Sequence, residues 1–78
     1  MYYLGIFYKK ARLDAHIGDL VLLEKPFAGR HVHVVCEYLE DMDGNLTASI
    51  GVNGDSISLD EVKYVLLIPI GDGRRTYN

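Results

Sequence analysis

Residues 31–59, HVHVVCEYLEDMDGNLTASIGVNGDSISL, contain the pattern that decides the fold. Apolar and polar side chains alternate along most of this stretch, with the period of a half-buried β-strand. Asp43-Gly44 and Asn53-Gly54 separate the alternating segments. These two dipeptides are the strongest short-range signals for a hairpin turn. The stretch therefore predicts three antiparallel strands that are joined by two tight turns.

The alternation also predicts which side chains face the interior, because successive residues of a strand point to opposite faces. In the first strand the predicted core face carries Val32, Val34, Cys36 and Tyr38, and the predicted solvent face carries His31, His33 and Glu37. A thiol that is buried in apolar surroundings is inert, so we expect no reactive role for Cys36.

Three further segments predict strands on either side of this meander. They are residues 2–8, 20–23 and 64–68. Pro69 follows the last of them and indicates an edge position or a strand end, because proline cannot donate a hydrogen bond to a sheet ladder. Ser58 and Glu61 fit a capping box, which predicts one helical turn just before the last strand.

The order of these elements predicts a single all-β, mostly antiparallel domain of five or six strands with one short helical turn. Over residues 18–68 this order resembles that of SH3-like small barrels. The resemblance concerns the order of elements alone, and it implies a small barrel or meander without implying any functional residue. The alternative is an α+β open antiparallel sheet with a short helix over residues 10–17. We expect the domain to span residues 1–70 and residues 71–78 to form a flexible tail.

The composition excludes several classes of protein. The chain has 78 residues and one cysteine, which excludes a disulfide scaffold and a zinc site built from several cysteines. The sequence shows no signal-peptide pattern and no apolar run of the roughly 20 residues that a membrane helix needs, so we expect a cytoplasmic protein. Nucleophile-elbow, P-loop and dinucleotide-binding motifs are absent from the sequence, and we expect neither enzymatic activity nor a cofactor.

His31 and His33 are the weak candidates for a metal site. Residues two apart on a strand point the same way, so the two imidazoles are expected to share a face with Glu37. Glu37 lies about 13 Å along the strand from His33 at roughly 3.3 Å per residue, which is too far to share an ion directly. A solvated polar face explains the pattern better than a metal site, and we expect no metal.

Two segments are candidates for contact with a protein partner. Their candidate residues are Glu37, Glu40, Asp41 and Asp43 in an acidic group, and Tyr3 and Phe7 in the aromatic N-terminal strand. Several strands are apolar on both faces, so residues such as Phe7 and Leu67 are expected on an outer face. A contiguous apolar patch usually marks an interface, and the sequence therefore predicts a homodimer or a complex with another protein.

The most favoured function is that of a small non-enzymatic interaction module. A chain of this size without enzyme motifs is typical of phage- or plasmid-type accessory proteins, including inhibitors that bind and modulate a host or defence protein. The alternative is a nucleic-acid-binding small barrel, because aromatic side chains beside cations hold single strands. Its candidate residues are Tyr2, Tyr8, Lys9, Lys10, Arg12, Arg74 and Arg75. The net charge of -3 opposes this alternative.

Overall fold

The computed structural model describes residues 1–72, which form eight strands and one turn of 3-10 helix. The strands are β1 (Tyr2–Tyr3), β2 (Ile6–Ala11), β3 (Leu20–Phe27), β4 (Arg30–Val34), β5 (Glu37–Glu40), β6 (Leu46–Val52), β7 (Asp55–Ser58) and β8 (Tyr64–Asp72), and the 3-10 turn is Leu59–Glu61. Every strand pairing among these residues is antiparallel. The prediction of an all-β, antiparallel fold with one short helical turn is confirmed.

Two sheets make up the domain. The first has the strand order β1-β2-β8-β3-β4 and curls into a half-barrel, and the second has the order β5-β6-β7. The last strand, β8, therefore lies at the centre of the first sheet, between β2 and β3. The alternative with a helix over residues 10–17 is wrong, because β2 continues to Ala11 and residues 12–16 are irregular.

Two-residue turns set the register of three hairpins in the described chain. They are Leu4-Gly5, Ala28-Gly29 and Asn53-Gly54, and both residues of each turn have positive φ. Positive φ at both positions defines a type I′ turn, whose twist matches that of the flanking strands. Asn53-Gly54 confirms the predicted turn. Leucine rarely adopts positive φ, so Leu4-Gly5 gave no signal, and the strand predicted over residues 2–8 is in fact the β1–β2 hairpin.

The hydrophobic core lies between the two sheets. Its buried members are Ala15, Val21, Leu23, Val35, Ile50, Leu59 and Leu66. They come from β3 and β8 of the first sheet, from β6 of the second, and from the segments between strands, so neither sheet has a core of its own. The Ser58 hydroxyl accepts a hydrogen bond from the Asp60 amide at 3.3 Å, which caps the 3-10 turn as predicted, at its second amide rather than that of Glu61.

The faces of β4 are the reverse of those predicted. His33 is paired directly with Val21, and directly opposed residues of an antiparallel pair share a face. Because Val21 faces the core, His33 also points inward and is 4% exposed, whereas Val34 is 55% exposed. Cys36, which was predicted to be buried, is exposed, and the interior position beside it belongs to Val35. A shift of one residue exchanges the two faces of a strand, so the alternation alone could not distinguish them.

The central strand β8 buries side chains on both of its faces. Leu66 packs in the core, and Leu67, which points to the opposite face, is only 2% exposed. Leu67 therefore lies on the face turned away from the core, as predicted, but the expectation that it is exposed there is wrong. Leu67 is the last residue of β8 that pairs with β3. Pro69 lies two residues further along, and in the described sheet it pairs with β2 alone. This position agrees with the predicted edge location of Pro69.

The described part of the chain ends with β8. This strand runs to Asp72, two residues beyond the predicted end of the domain, and residues 73–78 of the predicted tail lie outside the described residues. Among residues 1–72, none belongs to a helix that is long and apolar enough to span a membrane.

Candidate functional site

The β1–β2 hairpin carries an exposed pair of aromatic rings. Tyr2 and Phe7 are directly paired, and their ring centroids are 4.7 Å apart with the planes tilted by 58°. Such tilted pairs are favourable, so each ring restrains the other, although 56% of Tyr2 and 46% of Phe7 remain exposed. Leu4 at the turn and Ile70 of β8, which lies at the bulge next to Phe7, are exposed as well. We call Tyr2, Leu4, Phe7 and Ile70 the hairpin patch.

The hairpin patch contains only one of the two aromatic contact residues proposed from the sequence. Tyr3 pairs with Ile6, so it lies on the opposite face of the hairpin from Phe7 and is half-buried. Tyr2, which the sequence assigned to the nucleic-acid alternative, takes its place beside Phe7. Tyr8, from the same alternative, is half-buried. The unpredicted turn at residues 4–5 explains this exchange, because it folds β1 back on β2.

The predicted acidic residues lie on one continuous exposed segment. All four side chains of β5 are exposed, and this strand is an edge of the second sheet. The following loop carries further exposed carboxylates and a fully exposed Met42. We call residues 37–43 the acidic strip, and its carboxylates are those of Glu37, Glu40, Asp41 and Asp43. The structure thus brings the four predicted acidic residues together.

Asp41 holds the loop of the acidic strip in shape. Its carboxylate accepts hydrogen bonds from the amides of Asp43 and Asn45, each at 2.9 Å. The Gly44 amide donates to the Asp41 carbonyl at 3.1 Å, and Gly44 has a φ of 82°, which favours glycine. These hydrogen bonds, above all the one from the Asn45 amide, hold the pKa of Asp41 below its usual value. Asp41 therefore keeps its negative charge to a lower pH than an ordinary aspartate does.

A polar groove of about 360 Å³ adjoins the acidic strip. Asp14, Asp41 and Asp60 contribute carboxylates to its lining, and the described lining includes neither a lysine nor an arginine. Tyr38 and Tyr64 also line it, and their hydroxyls accept hydrogen bonds from the amides of Ile17 and Ala15 at 3.3 Å. The groove is therefore electronegative. Sequence reasoning missed Asp14 and Asp60 because they are far from the acidic strip along the chain and only tertiary contacts, such as the hydrogen bond from the Thr47 hydroxyl to the Asp60 carboxylate, bring them close.

His31 and His33, the weak metal candidates, both bond to backbone carbonyls. Nδ1 of His31 lies 3.0 Å from the Leu23 oxygen, and Nε2 of His33 lies 2.9 Å from the oxygens of both Phe27 and Arg30. A carbonyl only accepts, so each of these ring nitrogens carries the proton. The two imidazoles hold the end of the β3–β4 hairpin, where the pairing of the strands is interrupted. Among residues 1–70, whose side chains the structure describes, no group of three or more His, Cys, Asp or Glu side chains could bind a metal ion.

The cations of the nucleic-acid alternative are divided between the two faces of β2. Lys10 pairs with Leu67 and Lys9 with Ile68, so the two lysines point in opposite directions. Lys10 and Arg12 line one groove of the first sheet. Arg74 and Arg75 lie outside the described residues. The structure therefore brings together only part of this predicted set.

The function of the chain has to be argued from these surfaces. Comparison of the chain with protein families, with curated proteins and with solved structures finds no match.

Proposed function

We propose that the chain is a non-catalytic protein-interaction domain that binds a partner protein through the hairpin patch. The observation that carries the proposal is the tilted and exposed aromatic pair of Tyr2 and Phe7. Aromatic side chains dominate the binding energy of many protein interfaces. Because these two rings already restrain each other, they lose little conformational freedom when a partner covers them.

The position of the hairpin patch supports the proposal. None of its four side chains belongs to the buried core cluster of the domain, which is complete without them. Exposed apolar residues that occur singly are normal, but neighbouring ones usually mark a contact site. Here they lie together at one end of the first sheet, so their burial by a partner would remove apolar surface that the domain itself leaves in water.

The contacts of Cys36 and His33, two side chains of types that often act in catalysis, support binding rather than catalysis. The Cys36 thiol donates to the Ser49 carbonyl at 3.7 Å, and the Nε2–H of His33 donates to two carbonyls. A nucleophile needs an adjacent base, whereas the hydrogen bond described for the Cys36 thiol goes to a backbone carbonyl. His33 is only 4% exposed, which keeps its ring away from a substrate, and both side chains join segments of the domain.

The test is site-specific photo-crosslinking in cells that naturally produce the chain. A benzoylphenylalanine at position 7 is expected to give one dominant covalent adduct with a second protein chain after irradiation. The matched control carries the same photoreactive residue at position 13, because Leu13 is 58% exposed and lies beyond the other end of β2. Equal adducts from both positions, or none from position 7, would contradict the proposal.

A further inference from the structure

The outer face of the first sheet, which is turned away from the core, is aliphatic. Directly paired residues share a face, and neighbours along a strand point to opposite faces. Because Val21 and Leu66 are paired and face the core, the residues on either side of them point outward. Together with their partners on β4, these outward residues are Leu20, Leu22, Val32, Val34, Val65 and Leu67. We call this set the aliphatic face.

A basic groove borders the aliphatic face on the side of β2. Lys10 is paired with Leu67 and therefore shares its face. The groove has a volume of about 620 Å³, and its lining includes Lys10, Arg12, Lys63, Glu24, Leu22 and Val65. Three of the six lysine and arginine side chains among residues 1–72 thus surround one groove, although the chain as a whole has a net charge of -3.

The three cations of this groove outnumber its one carboxylate, that of Glu24. Among residues 1–70, whose side chains are described, none of the three lies within 4.0 Å of a carboxylate. On the aliphatic face Val34 is exposed, Leu67 is buried and the other four residues are half-buried, so the groove and the face together offer partly exposed apolar area beside cations. The complementary surface is a segment in which carboxylates and apolar side chains are mixed.

This chain itself presents such a segment. The acidic strip has the sequence EYLEDMD, and its exposed apolar side chains include Leu39 and Met42. It lies on an edge strand of the second sheet, which packs against the inner face of the first. The strip of one molecule therefore cannot reach the outer face of its own first sheet, and the contact has to join two molecules.

We propose that the acidic strip of one molecule docks on the basic groove and the aliphatic face of a second copy. The carboxylates of the strip face Lys10, Arg12 and Lys63, and the apolar residues of the strip cover part of the aliphatic face. Because the contact joins two different surfaces, two molecules can exchange their strips in a two-fold dimer, or each can dock on the next in a ring or an open chain. The hairpin patch takes no part in it, so this proposal is independent of the proposed function.

The lining of the groove favours a peptide segment over a single-stranded nucleic acid. Nucleic-acid platforms rely on exposed aromatic rings on which bases stack. The described lining of the groove consists of four aliphatic, four charged and one aromatic residue, and the hydroxyl of that aromatic residue, Tyr64, accepts a hydrogen bond from the Ala15 amide.

Sedimentation equilibrium from micromolar to millimolar protein tests this contact. In about 0.05 M salt the weight-average mass is expected to rise above 8.8 kDa with concentration, and about 1 M salt is expected to weaken the association because it screens charges within a few ångströms. Lys10→Glu and Glu37→Lys are each expected to lower the association constant about tenfold, and mixing the two variants is expected to restore it.

Lys9→Glu is the matched control, because it makes the same charge change next to Lys10 on the opposite face of β2. It is expected to associate like the unmodified chain. A mass of 8.8 kDa at every concentration in low salt, or equal weakening by Lys9→Glu and Lys10→Glu, would overturn the proposal. Association that Phe7→Ser abolishes and Lys10→Glu leaves intact would also overturn it, and would place self-contact at the hairpin patch instead.

Discussion

His33 is a buried polar residue that holds the end of a hairpin. Its Nε2–H donates hydrogen bonds to the backbone carbonyls of Phe27 and Arg30. In His33→Leu the new side chain is similar in size to the imidazole but leaves both carbonyl oxygens without this donor. We therefore expect the free energy of unfolding to fall by about 1–3 kcal/mol. Urea denaturation followed by circular dichroism measures the change. His31→Leu is the control, because His31 is exposed and water can replace its bond to Leu23; equal losses in the two variants would refute the role given to His33.

Asp41 makes the acidic loop sensitive to low pH. Its pKa in the folded chain lies below the value of 3.8 that it has in the unfolded chain, chiefly because the Asn45 amide donates to it. A carboxyl with a lowered pKa stabilises the fold above its unfolded pKa, and this stabilisation is lost as the pH falls through the folded pKa. We expect the NMR shift of the Asn45 amide to titrate with a midpoint below 3.8 and Asp41→Asn to abolish the transition. A midpoint at or above 3.8 would contradict this assignment.

The sequence could not predict the environment of single residues on β4. Val32, Val34 and Val35 place apolar side chains on both faces of this part of the chain, so the alternation is compatible with either orientation. The orientation depends on the pairing of His33 with Val21, which is a contact between strands. Local sequence contains no information on that register, and this is why Cys36 was wrongly predicted to be buried.

The turns are the elements in which local sequence and structure disagree most. Ala28 has a φ of 53° in a type I′ turn, where Asn-Gly is preferred. Ala28→Asn is therefore expected to raise the free energy of unfolding by up to about 1 kcal/mol, since asparagine tolerates this conformation better than alanine. Thermal and urea denaturation measure the gain. Asn53→Ala is the reciprocal control and is expected to lose a similar amount, and a loss of stability in Ala28→Asn would contradict the argument.

The strands themselves could be predicted where turn residues separate them. Asn53-Gly54 has the preferred sequence of its turn, and the β6–β7 hairpin was predicted at the right place. Leu4-Gly5 has no such sequence, so β1 and β2 were predicted as one strand. The order of strands in the first sheet was not predictable either, because β8 joins β2 and β3 through pairings that span most of the chain.

At the scale of the whole molecule, the fold separates the charges that the sequence places close together. Lys10 and Arg12 border the outer side of the first sheet, whereas Asp14, two residues later, lines the electronegative groove. The acidic strip could be predicted because its four carboxylates lie within seven residues of the chain. Neither groove could be predicted, because the basic groove needs the pairing of β2, β8 and β3 within the first sheet, and the electronegative groove is lined by segments that are distant along the chain.

The shared core predicts that the two sheets unfold together. Ile50 of β6 packs in one cluster with residues of β3 and β8, and it is completely buried. Ile50→Ala is expected to cost about 2–5 kcal/mol, a large part of the roughly 4–12 kcal/mol available to a domain of this size. Hydrogen exchange of the Val21 and Leu66 amides in the first sheet should then accelerate by the same factor as that of the Ser49 amide in the second.

Leu46→Ala on the same strand as Ile50 is the control, because Leu46 is exposed and its loss should change the stability little. Unchanged protection of the first sheet in Ile50→Ala would mean that the two sheets are separate cooperative units, although they share one core.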